Sequence, residues 1–110
     1  MNLKIEGQTL RFKISRAELS TLLEGQKLYE KTLLAGSSLE VTVDPTGEEK
    51  SMQPVLVIEK STSKVGVLIP PRYVQALADM GRSKKGIEQT INGVSISLQV
   101  DLREHAKGIK

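Results

Sequence analysis

The side chains best suited to binding a ligand are four cations in the second half of the sequence. Arg82, Lys84 and Lys85 follow a predicted helix, and Arg72 lies near the start of that helix. Lysine and arginine contact phosphate groups, so this set is a candidate site for an anion or for the backbone of duplex DNA. A structural role is the alternative, because cations at the C-terminal end of a helix also interact favourably with its dipole.

Residues suited to catalysis are few. The chain has no cysteine and one histidine, His105, which lies in a polar C-terminal segment. A general base must be held within hydrogen-bond reach of its proton, and we do not expect that of such a segment. Ser37-Ser38 and Ser61-Thr62-Ser63 lie in predicted turns, where hydroxyls commonly bond to the local backbone. We therefore predict no catalytic residue and no enzymatic activity.

The acidic residues do not form a recognisable metal site. Glu48 and Glu49 are adjacent in a predicted linker, whereas Mg²⁺ and Ca²⁺ need several convergent oxygens. Asp44 and Asp101 each follow the last predicted strand of one half of the chain, and we interpret both as strand-terminating residues. Symmetric positions about a pseudo-twofold axis are the alternative. We predict no metal and no cofactor.

The composition indicates one soluble domain with an aliphatic core. The chain has 110 residues, of which 38% are hydrophobic, 26% charged and only 3% aromatic. The formal net charge of +3 is uneven: residues 1–53 carry 7 Lys or Arg against 8 Asp or Glu, and residues 54–110 carry 9 against 5. The basic second half favours an anionic partner, and a solvated surface is the alternative.

Targeting and membrane-spanning segments are not expected. The longest apolar runs, Val55–Ile58 and Val65–Ile69, are much shorter than the roughly 20 residues that span a bilayer. The first residues also lack the apolar stretch of a signal peptide. We expect a cytoplasmic protein with no membrane partner.

An internal repeat organises the chain. Residues 3–23 overlay residues 58–78 at a constant offset of 55, and seven apolar positions coincide. These pairs are Leu3 with Ile58, Leu10 with Val65, Phe12 with Val67, Ile14 with Ile69, Leu19 with Val74, Leu22 with Leu77 and Leu23 with Ala78. After a two-residue slip, Leu39, Val41 and Val43 overlay Ile96, Leu98 and Val100.

We interpret this similarity as a duplication within a single domain of residues 1–110. Repeat 1 covers residues 1–44, a linker covers 45–53, repeat 2 covers 54–101, and a flexible tail covers 102–110. Two segments that merely share a secondary-structure pattern are the alternative.

Each half is predicted to fold as two strands, one helix and two strands. Ser15 and Glu18 have the spacing of a capping box at the start of the first helix, and Gly25 suits its end. Pro70-Pro71 suits the first turn of the second helix. Asn92-Gly93 is typical of a two-residue hairpin turn.

The apolar runs of the second half define the expected packing. Val55–Ile58 and Val65–Ile69 are nearly continuous, which is typical of strands covered on both faces. The predicted fold is α+β: a tandem ββαββ repeat that forms one mainly antiparallel curled sheet or barrel with two short helices. The expected core residues are Phe12, Ile14, Leu22, Val67, Ile69, Leu77, Ile96 and Leu98.

The beginning of the chain resembles a known group of proteins. The stretch Leu3-Lys-Ile-Glu-Gly-Gln-Thr-Leu-Arg-Phe-Lys-Ile-Ser-Arg-Ala-Glu-Leu is similar to the opening of a family of small bacterial proteins of unknown function. The resemblance implies a bacterial cytosolic origin and extends over most of the chain, but it brings no activity and no site residues.

A second likeness covers residues 64–98. Val65-Gly-Val-Leu-Ile-Pro-Pro-Arg-Tyr-Val-Gln-Ala-Leu-Ala-Asp-Met-Gly resembles the strand, Ile-Pro, helix and Gly core of AbrB-type swapped-hairpin DNA-binding domains. That resemblance implies a dimerising module whose basic residues bind DNA. The first half departs from the pattern, because Ser15 stands where the second half has Pro70, and the Gly-Arg turn usual before the strand is missing.

The predicted function is that of a non-catalytic binding or regulatory module. It would engage a protein, or a second copy of itself in a homodimer, through a sheet edge or the cleft between the repeats. The alternative is an AbrB-like DNA-binding transcriptional regulator that contacts duplex DNA with Arg72 and the Arg82–Lys85 cluster.

Overall fold

Eight strands and two helices lie within the residues that the computed structural model describes, which are 1–48, 51–80 and 86–101. In chain order they are β1 (Asn2–Glu6), β2 (Thr9–Ile14), α1 (Arg16–Leu23), β3 (Leu28–Leu34), β4 (Ser37–Asp44), β5 (Gln53–Ile58), β6 (Thr62–Leu68), α2 (Pro71–Asp79), β7 (Ile87–Ile91) and β8 (Val94–Val100). The fold class is α+β, as predicted.

The strands form two separate sheets, and each sheet takes one hairpin from each half of the chain. The first sheet has the order β1-β2-β8-β7, and the second has the order β3-β4-β6-β5. In both, the outer pairs are antiparallel and the central pair is parallel.

The expectation of one curled sheet or barrel was wrong, since neither sheet is closed among the described strands. The physical reason is the path of the chain. Each helix carries the chain from one sheet to the other, so the two hairpins of one half lie in different sheets. Four edge strands therefore remain: β1 and β7 in the first sheet, β3 and β5 in the second.

The core lies between the two sheets and beneath the helices. Alternate residues of each central strand point inward, as the two-residue period of a strand requires. Phe12, Ile96 and Leu98 of the first sheet and Val43 of the second have no exposed surface. All eight residues expected in the core are buried: Phe12, Ile14, Leu22, Val67, Ile69, Leu77, Ile96 and Leu98.

Both helices begin as their sequences predict. The Ser15 hydroxyl accepts the Glu18 N–H at 3.0 Å, and the Glu18 carboxylate accepts the Ser15 N–H at 2.8 Å, which is a complete capping box. Pro70 precedes α2, and Pro71 occupies its first turn. Within the described part of the chain, no helix has the length and apolar composition needed to cross a membrane.

The predicted Asn-Gly turn joins β7 to β8. Asn92 and Gly93 have φ angles of 51° and 81°, the two positive values that this hairpin turn requires. Ala35 and Gly36 make a similar turn between β3 and β4, with φ angles of 48° and 83°.

The two central parallel pairs have matching registers. Phe12 lies opposite Leu98 in the first sheet, and Val67 lies opposite Val43 in the second. Phe12 precedes Val67 by 55 positions, and Val43 precedes Leu98 by the same 55 positions. One offset therefore relates both pairs, and the register aligns Val43 with Leu98 rather than with Val100.

The outer hairpins do not share that offset. Leu3 lies opposite Phe12, whereas Pro54 lies opposite Val67. In the register of the sheets Leu3 therefore corresponds to Pro54, not to Ile58 as the gapless alignment predicts. The second hairpin is longer because its connection, Glu59–Ser61, replaces the tight Gly7-Gln8 turn of the first.

Met52 is a core residue that the sequence analysis missed. It lies in the predicted linker 45–53, yet its side chain has no exposed surface. Its backbone N–H donates to the Gln89 side-chain oxygen at 2.7 Å, which ties the start of β5 to β7 in the other sheet.

Candidate functional site

The predicted anion site falls mostly outside the described residues. This applies to Arg82, Lys84 and Lys85. Arg72 is described: it lies in the first turn of α2, and its guanidinium carbon is 5.3 Å from the centre of the Tyr73 ring. This contact is a cation–π interaction, so the structure places Arg72 against Tyr73.

Among the other singled-out polar residues, the structure brings Ser38 and Thr62 together. The Ser38 hydroxyl donates to the Thr62 hydroxyl oxygen at 3.1 Å, and both residues lie in the paired strands β4 and β6 rather than in the predicted turns. His105 and Glu49 lie outside the described ranges. Asp44 accepts a hydrogen bond from the Thr46 N–H at 3.0 Å, as a residue that begins a turn after a strand does. In residues 1–48, 51–80 and 86–101, no group of three or more His, Cys, Asp or Glu side chains could hold a metal ion.

An apolar groove lies between the two sheets. It has a volume of about 450 Å³ and lies between the β1–β2 hairpin of the first sheet and the β5–β6 hairpin of the second. We call it the β1–β5 groove. Its lining residues are Ile5, Gly7, Gln8, Leu10, Pro54, Val55, Leu56, Val65 and Val94.

The walls of the groove are continuations of the core faces of the sheets. Ile5 lies opposite Leu10 in the first sheet, and Leu56 lies opposite Val65 in the second. Opposite residues of a strand pair point to the same face. Val65 is only 8% exposed, whereas Ile5 is 55% and Leu56 66% exposed. The two inner faces therefore extend beyond the closed core and remain open to solvent here.

The main strand contacts of the helices are made with strands that do not line the groove. α1 contacts β3, α2 contacts β7, and the two helices contact each other. They pack beside the edge strands β3 and β7, whereas the groove lies between the edge strands β1 and β5.

The chemistry of the groove is that of a binding surface. None of its lining residues has a titratable side chain, and its polar contribution comes from Gln8 and the backbone. Proton transfer and metal binding both need groups that this lining lacks. The groove can exclude water from apolar side chains, which favours association with another apolar surface.

The β5 strand is more exposed than the sequence predicts. Its apolar run was expected to be covered on both faces, but Leu56 is 66%, Val57 39% and Ile58 74% exposed. That expectation was wrong because β5 lies at the edge of its sheet. A continuous apolar run does not distinguish a central strand from an edge strand.

The hydrogen bonding of the β5–β6 pair shows which backbone groups of β5 point away from the sheet. The Glu59 N–H donates to the Thr62 carbonyl at 2.9 Å, so this pair is hydrogen-bonded. Hydrogen-bonded pairs alternate along an antiparallel ladder, which assigns the Val57 and Val55 backbone groups to β6. The N–H and C=O groups of Leu56 and Ile58 consequently point away from the sheet.

The four edge strands differ in charge. β1 carries Lys4 and Glu6, whose side chains form an ion pair at 2.8 Å. The hydrogen bond and charge of the Lys4 ammonium lower the pKa of the Glu6 carboxyl. β3 carries Glu30 and Lys31, and β7 carries Glu88. β5 has no charged residue. Charges protect sheet edges against unwanted pairing, so β5 has the least protection by charge among these edges.

The signal for this surface is present in the sequence, but it points to the surface only once the sheet order is known. Gln53–Ile58 combines β-branched residues with a lack of charge, the composition of an edge that accepts another strand. Sequence alone does not bring Ile5 and Leu56 together, because they are 51 positions apart.

Comparisons with known proteins place the chain in a family. A search of the curated proteins and a search of the solved structures each found no match. The comparisons do not support the likeness of residues 64–98 to AbrB-type domains. A scan of protein families matched residues 1–103 to a family of unknown function, DUF7009. The resemblance to a family of unknown function is thereby confirmed, and the chain belongs to DUF7009.

Proposed function

We propose that the chain is a non-catalytic binding module that receives an extended, uncharged apolar segment of a protein at β5 and the β1–β5 groove. One observation carries the proposal. Leu56 and Ile58, on the face of β5 that borders the groove, are 66% and 74% exposed. Exposed aliphatic side chains beside a sheet edge that pairs with no other described strand are typical of strand-addition surfaces.

The incoming segment would add a strand to the second sheet. Its backbone would bond to the outward groups of Leu56 and Ile58, and alternate side chains would enter the groove. A main-chain hydrogen bond contributes about 1 kcal/mol net, whereas association costs about 4 to 15 kcal/mol of lost freedom. Because a few backbone bonds do not offset that cost, burial of apolar side chains, at about 1.5 to 3 kcal/mol each, has to supply the rest.

We also infer that the two halves are copies of one ββαββ unit. One offset of 55 relates the registers of both central pairs, and it also relates the starts of the two helices. Leu10 matches Val65 at that offset. In the register of the sheets Ile5, opposite Leu10, corresponds to Leu56, opposite Val65, so corresponding positions of the two copies line the groove.

The test is a titration of the full chain with a soluble peptide of alternating valine and leucine that has lysines at both ends. We expect the amide NMR resonances of β5 and β6 to shift as the peptide binds. Leu56→Lys should abolish these shifts because it places a charge in the groove wall. Leu33→Lys is the matched control, since Leu33 is a leucine on the edge strand β3 and is 74% exposed.

The proposal is wrong if the peptide produces no shifts, or if both lysine variants respond alike. Duplex DNA should be titrated in parallel. A salt-dependent response to DNA that Arg72→Ala weakens, without a response to the peptide, would favour the alternative of a DNA-binding regulator.

A further inference from the structure

We propose that the strand received at β5 is the β5 strand of a second copy of this chain, in an antiparallel pair centred on Leu56. The result is a homodimer in which the two second sheets join into one continuous sheet. This inference rests on the proposed use of β5 as a binding edge, and it names the partner.

Charge distinguishes β5 from the edge strands β1 and β3 as a self-pairing strand. The middle residue of β1 is Lys4 and that of β3 is Lys31. In a symmetric antiparallel pair each would lie opposite its own copy, and like charges directly opposite are destabilising. β5 has no charge between Gln53 and Ile58, so it pairs with itself without this penalty.

The side chains of β5 match each other about Leu56. In this register Leu56 faces Leu56 of the second copy, Val55 faces Val57, and Pro54 faces Ile58. Every residue from 54 to 58 thus lies opposite an aliphatic residue or proline. A register centred on Ile58 would instead place Glu59 opposite Val57, and one centred on Pro54 would lack the central N–H donor.

The backbone groups of β5 fit the same register. The N–H and C=O of Leu56 point outward, as the Glu59–Thr62 hydrogen bond establishes, so the two Leu56 residues can exchange both bonds across the axis. The outward N–H of Ile58 then meets the carbonyl of Pro54. Proline lacks an N–H, and this register puts it at the end of the pair, where the loss affects only the terminal bond.

The pairing also accounts for the exposed side chains of Leu56 and Ile58 in the single chain. Leu56 and Ile58 of the second copy would lie on the same face as the groove and extend its apolar lining. Contacts on this face lower the exposed fractions of Leu56 and Ile58, now 66% and 74%. The apolar run Val55–Ile58 would then be partly covered by the same strand of the second chain.

Disulfide trapping tests the register directly, because the chain has no cysteine of its own. Paired Leu56 positions would have Cα atoms about 5.5 Å apart, within the range of about 4.4 to 6.8 Å that a disulfide spans. Leu56→Cys should form a covalent dimer under mild oxidation. Ile58→Cys is the register control, since the two Ile58 positions are offset by about 14 Å along the strands. Leu33→Cys is the control on another edge.

Sedimentation equilibrium of the unsubstituted chain supplies a readout that needs no variant. We expect twice the chain mass of 12.1 kDa, and monomers for Leu56→Lys but not for Leu33→Lys. Equal cross-linking of Leu56→Cys and Ile58→Cys would overturn the Leu56-centred register. A monomeric chain that still binds the valine-leucine peptide at β5 would overturn the second copy and leave the proposed function standing. A monomeric chain that binds no peptide would overturn both.

Discussion

At the scale of single residues, Glu18 holds two parts of the chain together. One carboxylate oxygen accepts the Ser15 N–H at 2.8 Å, and the other lies 2.9 Å from the amino group of Met1. The same side chain therefore caps α1 and fixes the strand that forms one wall of the groove. Two predictions separate these roles.

The capping role predicts a loss of stability for Ser15→Ala. The variant removes the acceptor of the Glu18 N–H, 3.0 Å away, and we expect the free energy of unfolding to fall by about 1 kcal/mol. Urea denaturation measures the change. Ser20→Ala, at an exposed position inside the same helix, is the control and should not lower stability, because alanine is the better helix former. Equal losses in the two variants would contradict the capping role.

The ion pair predicts a pH dependence that Glu18→Gln weakens. Burial disfavours the charged Met1 amine, but its hydrogen bond to Glu18 and the charges of Glu18 and Glu30 outweigh this, so its pKa is raised above 8.0. A raised pKa in the folded state gives stability that is fully present below the unfolded value and is lost as the pH rises through the folded value.

Denaturation from pH 7 to pH 10 (about the range in which an amino group titrates) should therefore show a decline in the stability of the parent chain above its unfolded amine pKa. In Glu18→Gln the decline should be smaller, because the glutamine keeps a hydrogen-bond acceptor but loses the charge. Parallel curves for the two proteins would show that this ion pair does not contribute.

At the scale of elements, β4 and β6 pack so closely that one position requires glycine. A Cβ atom on Gly66 would lie 2.6 Å from the Thr42 carbonyl oxygen and would also overlap the Thr42 hydroxyl. Gly66→Ala should therefore force the parallel pair apart and destabilise the protein by about 1 to 3 kcal/mol.

Thermal and urea denaturation of Gly66→Ala measure this effect. The same substitution in a Thr42→Ala background is the control. It should still destabilise the protein, because the backbone oxygen of residue 42 remains in place. Full rescue by Thr42→Ala would show that only the side chain requires glycine at this position.

The strands also show how far the sequence predicts the fold. β2 and β8 alternate apolar with polar residues, so Phe12 and Leu98 could be assigned to the core before the sheets were known. The sequence of β5 is also apolar, but the exposure of its side chains depends on its position at the edge of the sheet. Pairing between strands that are distant in sequence determines that position. Met52 was assigned to a linker because its neighbours are polar, although the residue itself packs in the core.

The sequence could predict the type of the interaction surface but not the residues that form it. A sheet edge or a cleft was the expected interaction surface. A count of charges would have selected two strands, Gln53–Ile58 and Val94–Val100, and only the sheet order shows that the first of them lies at an edge. The groove itself requires Ile5 and Leu56 to approach each other across two sheets. No local pattern encodes that approach, because the helices that route the chain between the sheets determine it.

At the scale of the whole molecule, the fold is a pair of facing sheets in which the strands that mainly contact the helices are not the strands that line the groove. The helices contact β3 and β7, and the apolar groove opens between β1 and β5. β1 is protected by its charged pair Lys4–Glu6, which leaves β5 as the edge suited to another strand. The central claim is that a strand binds there.

Hydrogen exchange at the amides of Leu56 and Ile58 tests this claim most directly. Both N–H groups point away from the sheet, whereas the Val57 N–H bonds to β6 and provides an internal reference. We predict that exchange at Leu56 and Ile58 slows as the protein concentration rises, or as the valine-leucine peptide is added, while exchange at Val57 changes much less. Fast exchange at Leu56 and Ile58 under all these conditions would contradict the account.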